Sequence, residues 1–492
     1  MSHLVQRFSC LTLALFVCSG CASHTLSSSQ PQPPAAAWTR TAQKAMQLHD
    51  ASPDSPLAGK VRPISPPVTP DASPWWLPLQ DATLTSCIET GLARNQDIAI
   101  AAARVRQARL LARASEAARR PYVGYTVQGE RRRTPESTYR DEHGVTYNAP
   151  PFHENQVQAG IEARYEIDLL GRLAAASEEA NAERLATEAE AEAVRKWLVH
   201  EIIMAYADVS LAVARLHLAG QSHSHLLHLR TIEVGRLAAG LGDREAVRMA
   251  DDKLHQASLE QTSLERARHE AHVRLSLLLG AAPAENPVLD TSWLDTVPVR
   301  SLTLPPDLPV QVIAARPDVE AAWQHAVASS WNKEQARLER YPRLALTGGT
   351  GFASETLRHW ITRDALGWVL GLALDGPLLD GGRSAAKRER ADAMLSEYEA
   401  RYRKTVLQAL GDVETASARL LAAQADFADA AATSERRKQE EEAVHARIRA
   451  GTHDLRRLLA TQSARLESEQ ALLVSRHALV SAWAEGHKAL GR

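Results

Sequence analysis

The run that decides the fold is Asp380-Gly381-Gly382-Arg383-Ser384-Ala385-Ala386-Lys387-Arg388-Glu389, which continues to Gly451 without a proline. It is rich in Ala, Leu, Glu, Arg and Gln, all strong helix formers. Its only interior glycine is Gly411. Read as one helix from Arg383, it covers about 68 residues and about 100 Å, at about 1.5 Å per residue. Ordinary globular helices end by about 20 residues. A helix this long implies a coiled coil, a membrane span or a helical repeat, and its charges exclude the span.

The run has a counterpart. Leu170-Gly171-Arg172 matches Gly381-Gly382-Arg383, Ala239-Gly240 matches Ala450-Gly451, and Asp243 matches Asp454, at one offset of 211 residues (172 to 383, 240 to 451, 243 to 454). Upstream, Asp97 and Pro121 match Asp318 and Pro342 at an offset of 221. The chain is therefore an internal duplication. Its first copy carries ten extra residues between Pro121 and Gly171.

Each copy follows the same plan. Asp81 precedes a helical pattern (Leu84, Ile88, Leu92), and Asn95 and Asp97 offer capping oxygens to a helix from Ile98 to about Ala118. In the second copy Pro317-Asp318-Val319 opens the matching helix, which closes at Tyr341-Pro342. Strand pairs follow. Tyr122–Val127 and Val157–Ile167 are β-prone, with an Arg-, Pro- and Gly-rich loop expected from Arg131 to Pro151. Leu344–Gly349 and Leu366–Leu374 form the second pair, with Trp368, Leu370, Leu372 and Leu374 on one face. Nine residues is about the length of a tilted transmembrane strand. The alternative is a small soluble β-cap. Four strands cannot close a barrel, and a bilayer tolerates no open edge. Membrane insertion would thus require several chains to share one barrel.

Each long helix ends at a tip, Arg236-Leu237-Ala238-Ala239-Gly240-Leu241-Gly242-Asp243 or Arg447-Ile448-Arg449-Ala450-Gly451-Thr452-His453-Asp454. The glycine permits a left-handed turn, and Asp243 and Asp454 can cap returning helices from about Arg244 to Leu279 and from about Leu455 to Leu490. A proline-rich crossing, Pro283 to Pro309, joins the copies.

The N-terminus has its own logic. Arg7 and the apolar run Leu11–Val17 read as a signal segment over residues 1–20, followed by Ser19-Gly20-Cys21. Cys18-x-x-Cys21 lacks the βαβ context of a redox pair. Ser19-Gly20-Cys21 resembles a bacterial lipobox, in which cleavage leaves an acylated Cys21, although the usual Leu is Cys18 here. The plainer alternative is a cleaved signal with Cys21 free. Ala22 rather than Asp after the cysteine suggests outer-membrane sorting within that class. Eleven of the 24 prolines fall between Pro31 and Pro78, so residues 21–78 read as an extended strap.

Composition bounds the function. The 492 residues are 45% apolar and 24% charged, with net charge −2, which lacks the basic field of a nucleic-acid binder. There is no HExxH, GxSxG or Walker sequence. Gly348-Gly349-Thr350-Gly351 opens no helix, so a strand bend or close backbone contact is expected there rather than phosphate binding. His223, His225 and His228 crowd one stretch of the first long helix, but no thiol or carboxylate joins them at ligand spacing. Arg131-Arg132-Arg133 reads as a charged surface loop.

Trp75-Trp76, Asn95-Gln96-Asp97-Ile98, Arg104-Val105-Arg106-Gln107-Ala108, Tyr165-Glu166-Ile167-Asp168-Leu169-Leu170-Gly171-Arg172, Arg316-Pro317-Asp318-Val319 and Pro377-Leu378-Leu379-Asp380-Gly381-Gly382 occur in this order. Together they resemble the TolC-like outer-membrane efflux proteins, and most closely the NodT-type lipoproteins of tripartite, RND-type pumps. The resemblance runs from about Trp75 to Gly491. It implies a mainly α fold of two repeats (79–290 and 311–492, joined by 291–310). It also implies a homotrimer in which long helical hairpins form a periplasmic α-barrel and four strands per chain enter a shared 12-stranded outer-membrane β-barrel. Such a protein is a passive exit duct, not an enzyme, with no cofactor beyond lipid on Cys21. Its partners are a periplasmic adaptor, an inner-membrane pump and outer-membrane lipid.

The tips (Gly240, Leu241, Asp243, Gly451, Thr452) are then the expected adaptor contact. The acidic residues that narrow the pore in many relatives fall at Arg457 and Ala460 here, leaving Asp454, Arg456 and Arg457 as the candidate constriction. A structural or adaptor-like coiled-coil lipoprotein shares the helices and the anchor but does not account for the paired hairpins. Within the channel class, type I protein secretion or metal efflux is the alternative to small-molecule export.

Overall fold

Helix α3, Arg172–Ala238, is 67 residues long and is the spine on which the rest is arranged. The computed structural model describes residues 74–283, 293–299, 302–304, 315–356, 361–452 and 454–492. The signal segment, Cys21 and nearly all of the strap lie outside these residues, as do His453 and much of the crossing between the copies.

Two short helices lead in: α1 (Ala82–Arg94), capped by Asp81 through the Leu84 N–H, and α2 (Gln96–Ala117), capped by Asn95 through the Asp97 N–H at 2.7 Å. Strand β1 (Tyr122–Thr134), the small hairpin β2 (Ser137–Arg140) and β3 (Thr146–Ala149), and strand β4 (Phe152–Ile167) precede α3. Helix α4 (Arg244–Leu278) returns along it. A short helix, α5 (Trp293–Thr296), lies between the copies. The second copy then gives α6 (Pro317–Leu338), β5 (Arg343–Ser354), β6 (Leu366–Asp375), α7 (Arg383–Arg449) and α8 (Leu455–Ala489). The long helices are equal, α7 also having 67 residues, and the returning ones have 35 each.

The structure changes one sequence reading and refines another. The expected loop from Arg131 to Pro151 is largely strand: β1 runs on through all three arginines, and β2 and β3 extend the hairpin. A run of three charged residues is a weak strand signal by itself, but here each arginine is paired across the ladder, to Asn155, Glu154 and His153, and pairing overrides propensity. The crossing is also more than a connector. Trp293, Leu294, Val297 and Leu302 are buried in the main core.

That core gathers around the middle of α3. Leu198, Ile202, Ile203, Tyr206 and Val209 are almost wholly buried, with Leu84 and Ile88 from α1 and Leu479, Val480 and Trp483 from α8. The Tyr206 hydroxyl donates to Asp81 at 2.9 Å, so one carboxylate both caps α1 and fixes it to the spine. Trp75 stacks on His487 (4.7 Å between centroids, 13° between planes) and lies 5.4 Å from Trp483, which seats the end of the strap on α8. Burial pushes the His487 imidazole down to about 4, with the charge of Arg492 adding to it. Farther along, His325 of α6 is held between Glu183 at 3.2 Å and Glu190 at 3.1 Å of α3. The hydrogen bond to Glu183, with that to Glu190, raises it to about 9 despite burial. Helix α3 contains one window apolar enough to cross a membrane by composition, but half of it is buried inside the fold.

The helix ends are closed in equivalent ways. Asn95, just before α2, donates Nδ2 to the Leu278 carbonyl at the end of α4 at 2.9 Å. Arg316, just before α6, donates Nη1 to the Ala489 carbonyl at the end of α8 at 2.8 Å. The first members are 221 residues apart and the second 211, the same two offsets that the sequence shows.

Candidate functional site: a two-faced sheet and two helix tips

The strands form one antiparallel sheet in the order β1-β4-β5-β6. Register sorts their side chains, because directly paired residues share a face. Tyr125 pairs with Ile161, Ile161 with Thr350, and Thr350 with Trp368. Val123, Tyr125 and Val127 of β1 therefore share a face with Ile161 and Ala163 of β4, Leu344, Leu346 and Phe352 of β5, and the Leu366-to-Leu374 alternation of β6. The other face carries Thr126, Gln128, Glu130 and Arg132 of β1 and Gln156, Gln158, Glu162 and Arg164 of β4, with Gln158 bonded to Gln128 at 3.0 Å.

The apolar face is open. Tyr125 is 84% exposed and Trp368 81%, and Val127, Leu370 and Leu374 are exposed beside them. A soluble chain rarely leaves a contiguous patch of this kind uncovered. The pattern, apolar outward and polar inward with period two, is that of a transmembrane β-barrel wall. Among the described residues, both outer strands, β1 and β6, have one unpaired edge. Glycines let β4 and β5 approach closely: a Cβ on Gly351 would stand 2.4 Å from the Ala159 carbonyl oxygen and 2.5 Å from Gly160 Cα. The glycine-rich run is thus a backbone contact within a strand.

Loops just below the sheet lead into the long helices. Asp168 accepts the Leu173 and Ala174 N–H groups at 3.1 and 2.7 Å, and Asp380 accepts from Gly382 N and Ser384 N. Each carboxylate thereby faces the positive end of its helix. Serine and backbone hydrogen bonds hold the Asp380 carboxyl below the usual range.

At the far ends of the helices the tips share one geometry. Gly240 and Gly451 have φ of 71° and 74°. Leu241 N–H donates to Arg236 O at 2.8 Å, and Thr452 N–H to Arg447 O at 3.0 Å, closing the same left-handed cap. Asp243 Oδ1 accepts from Ala246 N at 2.7 Å and Asp454 Oδ1 from Arg457 N at 3.0 Å. The Arg457 N–H, with Arg456 beside it, holds the Asp454 carboxyl below its ordinary value. Leu241 is exposed.

The residues expected at the constriction are brought together, and they carry partners. Arg456 reaches Asp454 at 3.2 Å and stands 4.0 Å from Glu233. Arg457 stands 3.5 Å from Glu440 of α7. Glu233 was missed by sequence reasoning. It is a buried carboxylate of α3 between Arg236 (3.7 Å) and Arg456, and it links the two tips. Its signal was the three-residue spacing to Arg236. Arg465 further ties α8 to α7 through Glu441 at 2.6 Å. Ala460 is exposed, one turn beyond Arg456. His223, His225 and His228 form no metal centre: among the described residues no three His, Cys, Asp or Glu side chains are placed to hold an ion. His225 is lowered by burial and by the charge of Arg465.

A membrane-facing sheet joined to helices of this length defines an outer-membrane channel with a long helical extension. A family profile described as outer membrane efflux protein matches residues 87–281 and 308–492. The chain belongs to that family, and it is an outer-membrane efflux channel. It is 26% identical over 436 residues to the pyoverdine export outer membrane protein OpmQ of Pseudomonas aeruginosa, covering 86% of this chain and 87% of that one. It is 28% identical over 380 residues to OprJ of the same organism, covering 76% and 74%. The crystal structure of the outer membrane protein VceC from Vibrio cholerae superposes with a TM-score of 0.70 at 22% identity, over 85% of this chain and 98% of that one. Proteins of this family serve tripartite efflux systems as channels and not as enzymes.

Proposed function

We propose that three copies of this chain close one conduit, open at the cell surface and gated at the helix tips. The observation that carries this is the sheet with an exposed apolar face and two unpaired edges. Unpaired strand edges are too costly in hydrocarbon to persist. Joining β6 of one chain to β1 of the next, three times, satisfies every edge with twelve strands, the size of a conducting barrel. Exposed Leu407 and Leu421 of α7 are of the kind a neighbouring chain would cover.

The equal hairpins then line a duct about 100 Å long, and the tips with Gly240, Leu241, Asp243, Gly451 and Thr452 meet a periplasmic adaptor, which couples the duct to an inner-membrane pump. Lipid on Cys21 anchors the strap. The duct is passive, with energy coming from the pump and the cargo chosen there. The Asp454–Arg456–Glu233 and Arg457–Glu440 pairs hold the tips together as the constriction. Apart from the buried Glu233 these side chains are about half-exposed, so the exposed pairs contribute little alone and opening needs only modest work.

Purified protein in planar bilayers tests this. The expected result is a heat-resistant trimer that conducts, with Asp454→Ala/Arg456→Ala/Arg457→Ala conducting more than the parent. A monomer that forms no pores would sink the reading, and unchanged conductance in the triple variant would remove these residues from the gate.

A further inference from the structure

The run Arg131-Arg132-Arg133 lies at the end of β1 farthest from the helices, and the pleat divides it. Arg132 points to the polar face, where its Nε reaches Glu130 at 3.3 Å. Its register partner Glu154 is on the same face. Arg131 and Arg133 stand on the opposite face, the one that carries Val123, Tyr125 and Val127. Both are exposed, and neither has a hydrogen-bond or ion-pair partner among the described residues. Opposite them on β4, on this same face, are Asn155 and His153. The strand acids at this end, Glu130 and Glu154, both lie on the other side. The membrane-directed face therefore closes in a patch of two free guanidiniums, an amide and an imidazole.

Depth fixes what the patch meets. Ten residue steps separate Val123 from Arg133, about 34 Å along the strand at about 3.4 Å per residue. At a tilt of about 45° this is about 24 Å along the membrane normal, close to the apolar band of such barrels, about 25 Å tall. The arginines thus stand at the outer boundary of the hydrocarbon, where their charge is least costly and headgroups begin. Arginine forks match phosphate oxygens in a bidentate geometry.

We propose that Arg131 and Arg133, with His153 and Asn155 beside them, bind the phosphate groups of a phosphorylated lipid in the outer leaflet and fix the barrel's height in the membrane. This rests on the transmembrane reading of the sheet. The full-length protein is reconstituted in vesicles of phosphatidylethanolamine with either a bisphosphorylated outer-leaflet glycolipid or its enzymatically dephosphorylated form, and re-extracted. Lipid retained per trimer is then measured beside channel conductance. The expected result is several-fold retention of the phosphorylated form, lost in Arg131→Gln/Arg133→Gln, kept in Arg132→Gln, and not displaced by millimolar inorganic phosphate.

Equal retention of both lipids by the parent, or an undiminished preference in the double variant, would overturn the proposal. Release by free phosphate would show a simple anion site and would also overturn it. A parent protein that inserts and conducts nothing would remove the transmembrane reading, and this proposal with it.

Discussion

Helices α3 and α7 have the same length, equivalent caps and equivalent tips, yet they carry different loads. Helix α3 is packed on by α1, α2, α4, α6 and α8, and its middle is the core of the chain. Helix α7 packs mainly on α6 and α8 and buries only a sparse row of small or aliphatic residues, including Ala409, Val413, Ala416, Leu420 and Ala423. Duplication thus preserved the length and the ends of the rod while its sides diverged. Geometry that the assembly needs is kept in both copies, and packing that only one chain needs is concentrated in one.

The largest test of this division is at equivalent positions. Ile202 is fully buried and Val413, 211 residues later, is at the edge of burial. Ile202→Ala should cost about 2–5 kcal/mol and Val413→Ala about 1 kcal/mol, by the usual cost of truncating a core side chain, read as denaturant midpoints of the purified protein. Equal losses would erase the difference between the rods.

The junctions come next. Arg316 is bound to Ala489 O, Asp318 and Asp412, whereas Asn95 bonds one carbonyl and accepts the Asp97 N–H. Burial works against the Asp318 carboxylate, but the hydrogen bonds and charge of Arg316 outweigh it and hold Asp318 below its ordinary value. Arg316→Ala orphans three partners, two of them half-exposed, and should cost about 2–3 kcal/mol. Asn95→Ala should cost about 1–2 kcal/mol.

A pH test separates the copies further, because the position equivalent to His487 is Ser276. The unfolded imidazole binds a proton below about 6.5, while the folded one resists until about 4. Stability from this site is therefore present above pH 6.5 and is lost as pH falls toward 4, by about 2 kcal/mol at pH 5. His487→Phe should flatten the acid limb of a melting-temperature profile. An unchanged limb would place the acid sensitivity elsewhere.

The smallest effect should be the same in both copies. Gly240→Val and Gly451→Val each force a β-branched residue into a left-handed turn, at about 1–2 kcal/mol. Each should slow efflux in cells without abolishing assembly of the barrel. A large difference between the two would show that the tips are not equivalent in use.

Much of this was legible in the chain. Helix formers without proline, glycine at a fixed offset and aspartate three residues on are local signals, and they placed both rods, both tips and both returns within a residue or two. The Trp368–Leu374 alternation likewise declared its face. What was hidden depended on partners distant in sequence. Arg131 to Arg133 read as a loop because their strand identity comes from pairing with His153–Asn155. Asp454, Arg456 and Arg457 read as a candidate constriction, but the partners Glu233 and Glu440 were hidden because they lie on other helices. Trp293 read as linker because its burial is against Tyr206, 5.2 Å away across the core.

The equality of the two rods makes the molecule a gauge. Each 67-residue helix measures the same distance from a glycine-and-carboxylate foot to a glycine tip. A seven-residue insertion in one rod alone would lift its tip by about 10 Å and leave a ragged mouth, whereas matched insertions in both would give a longer duct with an even rim. The length of the helical extension is thereby written into the chain twice, and neither copy can drift in length without the other.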